Sequence, residues 1–447
     1  MDWDLEYKKK VVTAEEAMSK VKSNDRVVLA HACGEPLELV DALVARAAEL
    51  HNVEIVHMVA MGKGEYCKPE YAESFFHNSV FVGASTREAV FEGRASYTPI
   101  FFHEIPGLFT QGYLPPDVTL VHLSPPDKHG FCSFGISVDY TKPAASVSKM
   151  VIAQVNPNMP RTHGDSFIHV SQLDYIVETE QPIIELKPAK IGPVEEAIGR
   201  NIASLVEDGA CLQLGIGGIP DAVLLFLDDK KDLGIHTEMF SEGVVELYER
   251  GVITNACKNL HRDKMVATFL MGTRRLYDFV DDNPAVNMFP VSYTNDPSVI
   301  GQIDKVVAIN SALQVDLLGQ VVADMMGPMQ YTGIGGQVDF VRGANRSKGG
   351  KAIIALPSTA KGGTVSRIAA KLTDGAAVTT MRADVDYVVT EHGIAHLKGL
   401  TMGKRAHALI QVADPKFRDQ IIDDCKAMRG GGWFEGTRIR KLWEQTS

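Results

Sequence analysis

With 447 residues, 45 Lys and Arg against 56 Asp and Glu, and a formal net charge of −11, the chain lacks the basic face that phosphate neutralisation needs. This argues against nucleic acid as its main partner. At 45% hydrophobic and 23% charged residues it has the composition of a packed α/β protein of about two to three domains, and no run of about 18 apolar residues offers a membrane span.

The N-terminal stretch "MDWDLEYKKKVVTAEEAM" is charged and has no apolar centre of the secretory kind, so a cytoplasmic protein is expected. From there the order of elements is stated twice. Residues 13–50, "TAEEAMSKVKSNDRVVLAHACGEPLELVDALVARAAEL", read as helix, turn, buried strand, Gly-x-Pro turn and second helix, and residues 194–229, "VEEAIGRNIASLVEDGACLQLGIGGIPDAVLLFLDD", repeat that order. In both, the first helix carries apolar residues at helical spacing and the turn holds Asn-Asp or Asp-Gly. Proline takes the first position of the second helix in this reading. Each copy runs on into a strand, "VEIVHMVAM" and "LGIHTEMF". The fold class is therefore α/β: two related open lobes with helices covering mainly parallel sheets. Pro182, Pro188 and Pro193 interrupt regular structure between them. That places the boundary near 185–193 and the lobes at 1–188 and 189–447. Further buried strands are expected at "KVVAINSAL", "KAIIALPS" and "DYVVTEHG". Ligands of open α/β sheets bind beyond the carboxyl ends of such strands.

Two turns stand at those ends. In "LQLGIGGIPDAV", Gln213 ends a strand, Gly215, Gly217 and Gly218 make a tight turn, and Pro220 with Asp221 opens a helix. Exposed backbone N–H groups at such a turn suit a phosphate or an oxyanion, but glycines also serve packing. Proline stands where the third glycine of a dinucleotide fingerprint belongs, which disfavours NAD. The second Gly-Ile-Gly-Gly, in "YTGIGGQVDFVRGANRSKGGK", is followed by Arg342, Arg346, Lys348 and Lys351 and reads as a flexible, basic surface hairpin or as an anion-binding edge. Between the turns, "GIHTEMFSEG" puts Glu238 after a strand and before a helix capped by Ser241. It is either a solvated turn residue or a carboxylate held at a cleft mouth to react.

Other candidates are weaker. His392 and His396 stand four apart, but the metalloprotease pattern needs Glu where Gly393 stands, and the six scattered cysteines read as reduced, mostly buried thiols, so no metal is expected. Cys132 or Ser124 with His129 lies in no elbow motif. His31 reads as a substrate contact or a core histidine.

As an ordered set, "LQLGIGGIPDAV", "GIHTEMFSEGVVELYERG", "INSALQVDLLGQV", "GIGGQVDFVRGA", "LPSTAKGG" and "VVTEHGIAHLKG" resemble the acetyl-CoA hydrolase/transferase branch of the family I CoA-transferases. The resemblance spans both lobes. It implies that Glu238 is a nucleophile passing through an acyl-glutamyl anhydride and a glutamyl-CoA thioester. It also implies that CoA, as co-substrate rather than resident cofactor, contacts Gln213, Leu214, Gly215, Ile216, Gly217, Leu313, Gly336 and Lys361, the last contact falling alternatively on Thr359. The implied partners are acyl-CoA and short-chain acids such as 4-hydroxybutyrate, butyrate and acetate, and the implied assembly is a homodimer or homotetramer. An acyl-CoA hydrolase shares the nucleophile and differs in admitting water. A non-catalytic ligand sensor would be expected to carry a partner or DNA-binding module, and neither end has a basic helix-turn-helix pattern.

Overall fold

The computed structural model describes residues 3–429. Helix α1 (Ala14–Met18) is capped by the Thr13 side chain, which accepts from the Glu16 N–H. It is followed by strand β1 (Arg26–Leu29), helix α2 (Leu37–Ala45) and strand β2 (Val53–His57). Four more long or edge strands follow, β3 (Phe75–Ser79), β4 (Ala95–Tyr97), β5 (Val118–Leu123) and β6 (Met150–Val155), and β7 (Tyr175–Glu178) closes the set. The seven form one sheet in the order β7-β6-β5-β1-β2-β3-β4, with every neighbouring pair parallel. All six residues of β5 are buried, as a central parallel strand covered on both faces requires.

The second lobe repeats the pattern with α3 (Pro193–Ala203), β8 (Cys211–Leu214), α4 (Gly218–Leu224) and β9 (Gly234–Ile235). Helix α3 has proline in its first turn, and the Glu195 carboxylate accepts from the Gly192 N–H in a capping arrangement. Its Ile198 and Ile202 are buried. The three further strands expected from sequence are present as β10 (Val306–Ser311), β11 (Lys351–Ala355) and β12 (Tyr387–Thr390), and β13 (Gly393–His396) is added as a hairpin partner. The order is β9-β8-β10-β11-β12-β13, parallel but for the last pair.

Two details differ from the sequence reading. Proline does not occupy the first position of the second helix in either copy: Pro36 is the N-cap of α2, and Pro220 is the third residue of α4. The second Gly-Ile-Gly-Gly does not open a flexible surface hairpin. It leads into helix α6 (Gln337–Arg346), and α5 (Glu242–Glu249) lies earlier in the chain, after Glu238. Most of α6 is buried, including Val338, Phe340, Val341 and Ala344. The apolar spacing of those four residues, rather than the basic residues that follow, decided the local structure.

The lobes are joined beyond the chain link at 179–192, which holds no helix or strand. His163–Gly164 from the first half pairs in parallel with Val286–Met288 from the second, extending a small sheet that includes Met265–Ala267. One hydrophobic core runs through both halves, from Val28 and Phe102 to Phe240 and Val389. Among the described residues all six cysteines are free; four are buried, Cys67 is partly buried and Cys257 is exposed.

Candidate active site

Glu238 lies in a bend between β9 and α5, at the seam between the lobes. Its backbone is held from both sides. The Thr237 N–H donates to the Val266 carbonyl, and the Glu238 carbonyl accepts from Thr268 and Phe269 at 3.0 and 3.3 Å. The Thr237 hydroxyl donates to the carbonyls of Leu214 and Met239 and accepts from the Leu214 N–H at 3.2 Å. These bonds tie the carboxylate's strand to the root of the first glycine turn. Ser241 occupies the N-cap of α5 as expected, but its hydroxyl donates to Asp221 at 2.9 Å instead of accepting from the helix.

The carboxylate itself meets α6. The Asn295 side-chain amide donates to Glu238 Oε2 at 3.0 Å, and the Gly336 N–H also stabilises the ionised form. A Cβ built on Gly336 would overlap both Glu238 Oε2 and Asn295 Nδ2. Gly336 has an ordinary negative φ of −94°, so it is the approach of the carboxylate, not backbone strain, that demands glycine. Burial pushes the Glu238 carboxyl up to about 8; Asn295 and Gly336 oppose the rise, while the charges of Asp339 and Asp139 add to it. Asp339, buried in the first turn of α6, accepts from His103 N at 3.1 Å and pairs with His103 Nδ1 at 2.7 Å. Burial raises the Asp339 carboxyl, with His103 opposing. Burial works against the His103 charge, yet Asp339 holds the imidazole above its ordinary range.

The first lobe supplies more than His103. Phe102 N–H donates to the Gly335 carbonyl, Ile334 N–H to the Tyr97 hydroxyl, and Gly333 packs so tightly on Phe81 that no side chain fits between them. The second glycine turn is thus clamped by the opposite lobe directly above Glu238.

A cleft of about 340 Å³ is lined by Ile216, Gly217, Ser311, Leu313, Pro357 and Arg367, among others. Gly217 takes φ +116° and a Cβ there would meet nothing, as would one on Gly215, so that backbone faces open space. Gln337, the neighbour of Gly336, donates to the Ser311 carbonyl on the cleft wall at 2.6 Å. The structure therefore brings Ile216, Gly217 and Leu313 to one cleft and puts Gly336 on the carboxylate. Gln213 and Leu214 are buried beneath the turn, the Gln213 amide paired with Asn310. Lys361 is exposed in a hairpin turn at φ +50°, and Thr359 starts that hairpin.

Sequence reasoning missed Asn295, Asp339 and His103. None sits in a glycine turn or at a motif spacing; Asp339 reads as an ordinary first-turn acid of a helix. The rival candidates fall elsewhere. The Cys132 thiol is buried and pushed up to about 12 by that burial, which leaves it protonated and inert. Ser124 is spent in bonds with Ser133 and Pro125. His31 is fully buried, its Nδ1 3.3 Å from Asp139 and its ring packed on Phe102, Tyr140 and Phe269, so it is a core histidine. His396 lies on a strand, stacked on Tyr387 and paired with Asp386, and no His, Cys, Asp and Glu cluster among the described residues is arranged to hold a metal.

The sequence model of the acetyl-CoA hydrolase/transferase N-terminal domain matches residues 1–187, and that of the C-terminal domain matches 272–425. A 4-hydroxybutyrate coenzyme A transferase of Clostridium kluyveri is 61% identical over 426 residues, covering 95% of this chain and 99% of that protein. A succinyl-CoA:cyclohexane-1-carboxylate CoA transferase of Geobacter metallireducens is 47% identical, covering 95% and 97%. The crystal structure of a 4-hydroxybutyrate CoA-transferase from Porphyromonas gingivalis aligns with a TM-score of 0.83 at 42% identity, over 96% of this chain and all of that one.

Proposed function

The chain belongs to the acetyl-CoA hydrolase/transferase family and is a CoA-transferase, and from that premise we propose that it exchanges CoA between short-chain acids through a covalent adduct on Glu238. The observation that carries this reading is the Glu238 carboxylate at the seam, contacted by the Asn295 amide and the Gly336 N–H and linked through Gln337 to the cleft under the first glycine turn.

Ionised Glu238 attacks the thioester carbon of acyl-CoA; the carbon–sulfur bond breaks and CoA leaves as thiolate, giving an acyl-glutamyl anhydride. The thiolate then attacks the glutamyl carbon, expels the first acid as carboxylate and leaves a glutamyl-CoA thioester. An incoming carboxylate reverses both steps, so the activation of the thioester is retained throughout. When a nucleophile adds to the glutamyl carbon, negative charge develops on the oxygen that Asn295 and Gly336 already contact. Each such donor contributes about 3–4 kcal/mol in known oxyanion holes.

The acids are 4-hydroxybutyrate or butyrate exchanging with acetate, a reading supported by the 61% identical relative. CoA is the co-substrate, and the assembly is a homodimer or homotetramer, which light scattering will test. The decisive experiment adds acyl-CoA without acceptor. CoA should remain on the protein as a thioester, mapping between His236 and Met239. An adduct at Glu242 or Glu246 would move the nucleophile, and transfer without any adduct would sink the covalent path. In a panel of acids, strong preference for succinate with no reaction of either C4 monoacid would overturn the substrate assignment. Acyl-CoA consumption without acetate-dependent exchange of label would make the protein a hydrolase.

A further inference from the structure

Arg367 lines the cleft beside Leu313, and its backbone is fixed on both sides: its N–H donates to the Ser358 carbonyl and its carbonyl accepts from Val315. The residue is only partly exposed. Among the described residues, one of its five N–H donors has a partner, in a 3.3 Å bond from Nη1 to the Ala312 carbonyl, and Nε is buried with none. The nearest carboxylate in charge terms, Glu391, is occupied by the Ser358 N–H and hydroxyl at 2.8 and 2.6 Å. A half-buried cation left this short of partners is costly unless a ligand supplies them.

The other charged residues on the cleft wall are Lys190, which is exposed, and Glu195, whose carboxylate is held by the Gly192 N–H. A planar guanidinium with unfilled donors matches phosphate, which it holds through paired hydrogen bonds. We propose that Arg367 binds a phosphate of the nucleotide end of CoA, anchoring it at the Ala312–Leu313 side of the cleft while the thioester reaches Glu238. This rests on the reading of the cleft as a CoA site.

The test compares butyryl-CoA with butyryl-pantetheine, which carries the thioester and amides but no phosphate. Arg367→Gln should raise KM for butyryl-CoA by about 10- to 100-fold with kcat changed by less than about threefold, while kcat/KM for butyryl-pantetheine stays as in the unaltered protein. Repeating the comparison with butyryl-3′-dephospho-CoA assigns the phosphate: a persisting effect marks the pyrophosphate and a vanished one the ribose phosphate. Equal loss on both the CoA and pantetheine substrates, or an unchanged KM, overturns the proposal. If Arg367→Gln does not fold, Arg367→Lys takes its place, with a rise in KM confined to the phosphate-bearing donor expected and an equal change on both donors overturning it. Failure of the unaltered protein to use any acyl-CoA would instead remove the CoA reading itself.

Discussion

At Glu238 the environment does two opposed things to one carboxylate. Burial holds the proton on up to about 8, and Asn295 with Gly336 favours its loss. In the proposed mechanism only the ionised form attacks, so kcat/KM should rise with pH through about 8 and level off above about 9. Asn295→Ala removes a stabilising donor and should move that inflection upward while lowering the plateau; Asp339→Asn removes a like charge and should move it downward. The sign for stability is the reverse. The folded-state value lies above the unfolded value of 4.5, so between those limits the folded chain binds the proton more tightly and stability falls as pH rises. Glu238→Gln should abolish adduct formation and yet make the protein more stable at pH 7, by on the order of 3 kcal/mol. Denaturant unfolding at pH 5 and pH 7 checks this, the gain being smaller at pH 5.

The two glycine turns use glycine for different reasons, and substitutions should separate them. Gly217 takes φ +116° with open space beside it, so Gly217→Val strains the backbone and intrudes on the cleft; KM for acyl-CoA should rise more than thermal stability falls. Gly336 has no backbone need for glycine, and its absent side chain leaves the room that Glu238 and Asn295 occupy. Gly336→Ala should therefore lose most of kcat, by about 100-fold or more, because one donor and the carboxylate are displaced together. Mass spectrometry should find the Glu238 adduct slow to form in Gly336→Ala and normal in rate, at saturating acyl-CoA, in Gly217→Val.

Across the whole molecule, the site exists only because the lobes are packed on each other. His103, Phe102, Tyr97 and Phe81 come from the first lobe and hold a turn of the second, and one apolar core runs through both. The protein should unfold in a single calorimetric transition, where lobes of independent stability would give two. His103→Ala should lower kcat/KM and raise the pH at which it inflects, since the unpaired Asp339 charge then bears on Glu238 more strongly. No helix among the described residues is long and apolar enough to cross a membrane.

The doubled helix-strand-helix order, the parallel sheets and Glu238 at a strand end were readable in the sequence because they rest on local signals: apolar period, turn residues and caps. Of the two readings of the second glycine turn, the surface hairpin drew on the basic residues and was wrong: a largely buried helix stands there, set by its apolar spacing. What the sequence by itself determined is the list of elements and the carboxylate between two of them. What the tertiary structure alone decided is the company that carboxylate keeps. Asn295 lies 57 residues from Glu238 and the His103–Asp339 pair is 236 residues apart; contacts over such separations are set by how sheets and lobes pack, and no period, spacing or propensity within a window of the chain encodes them.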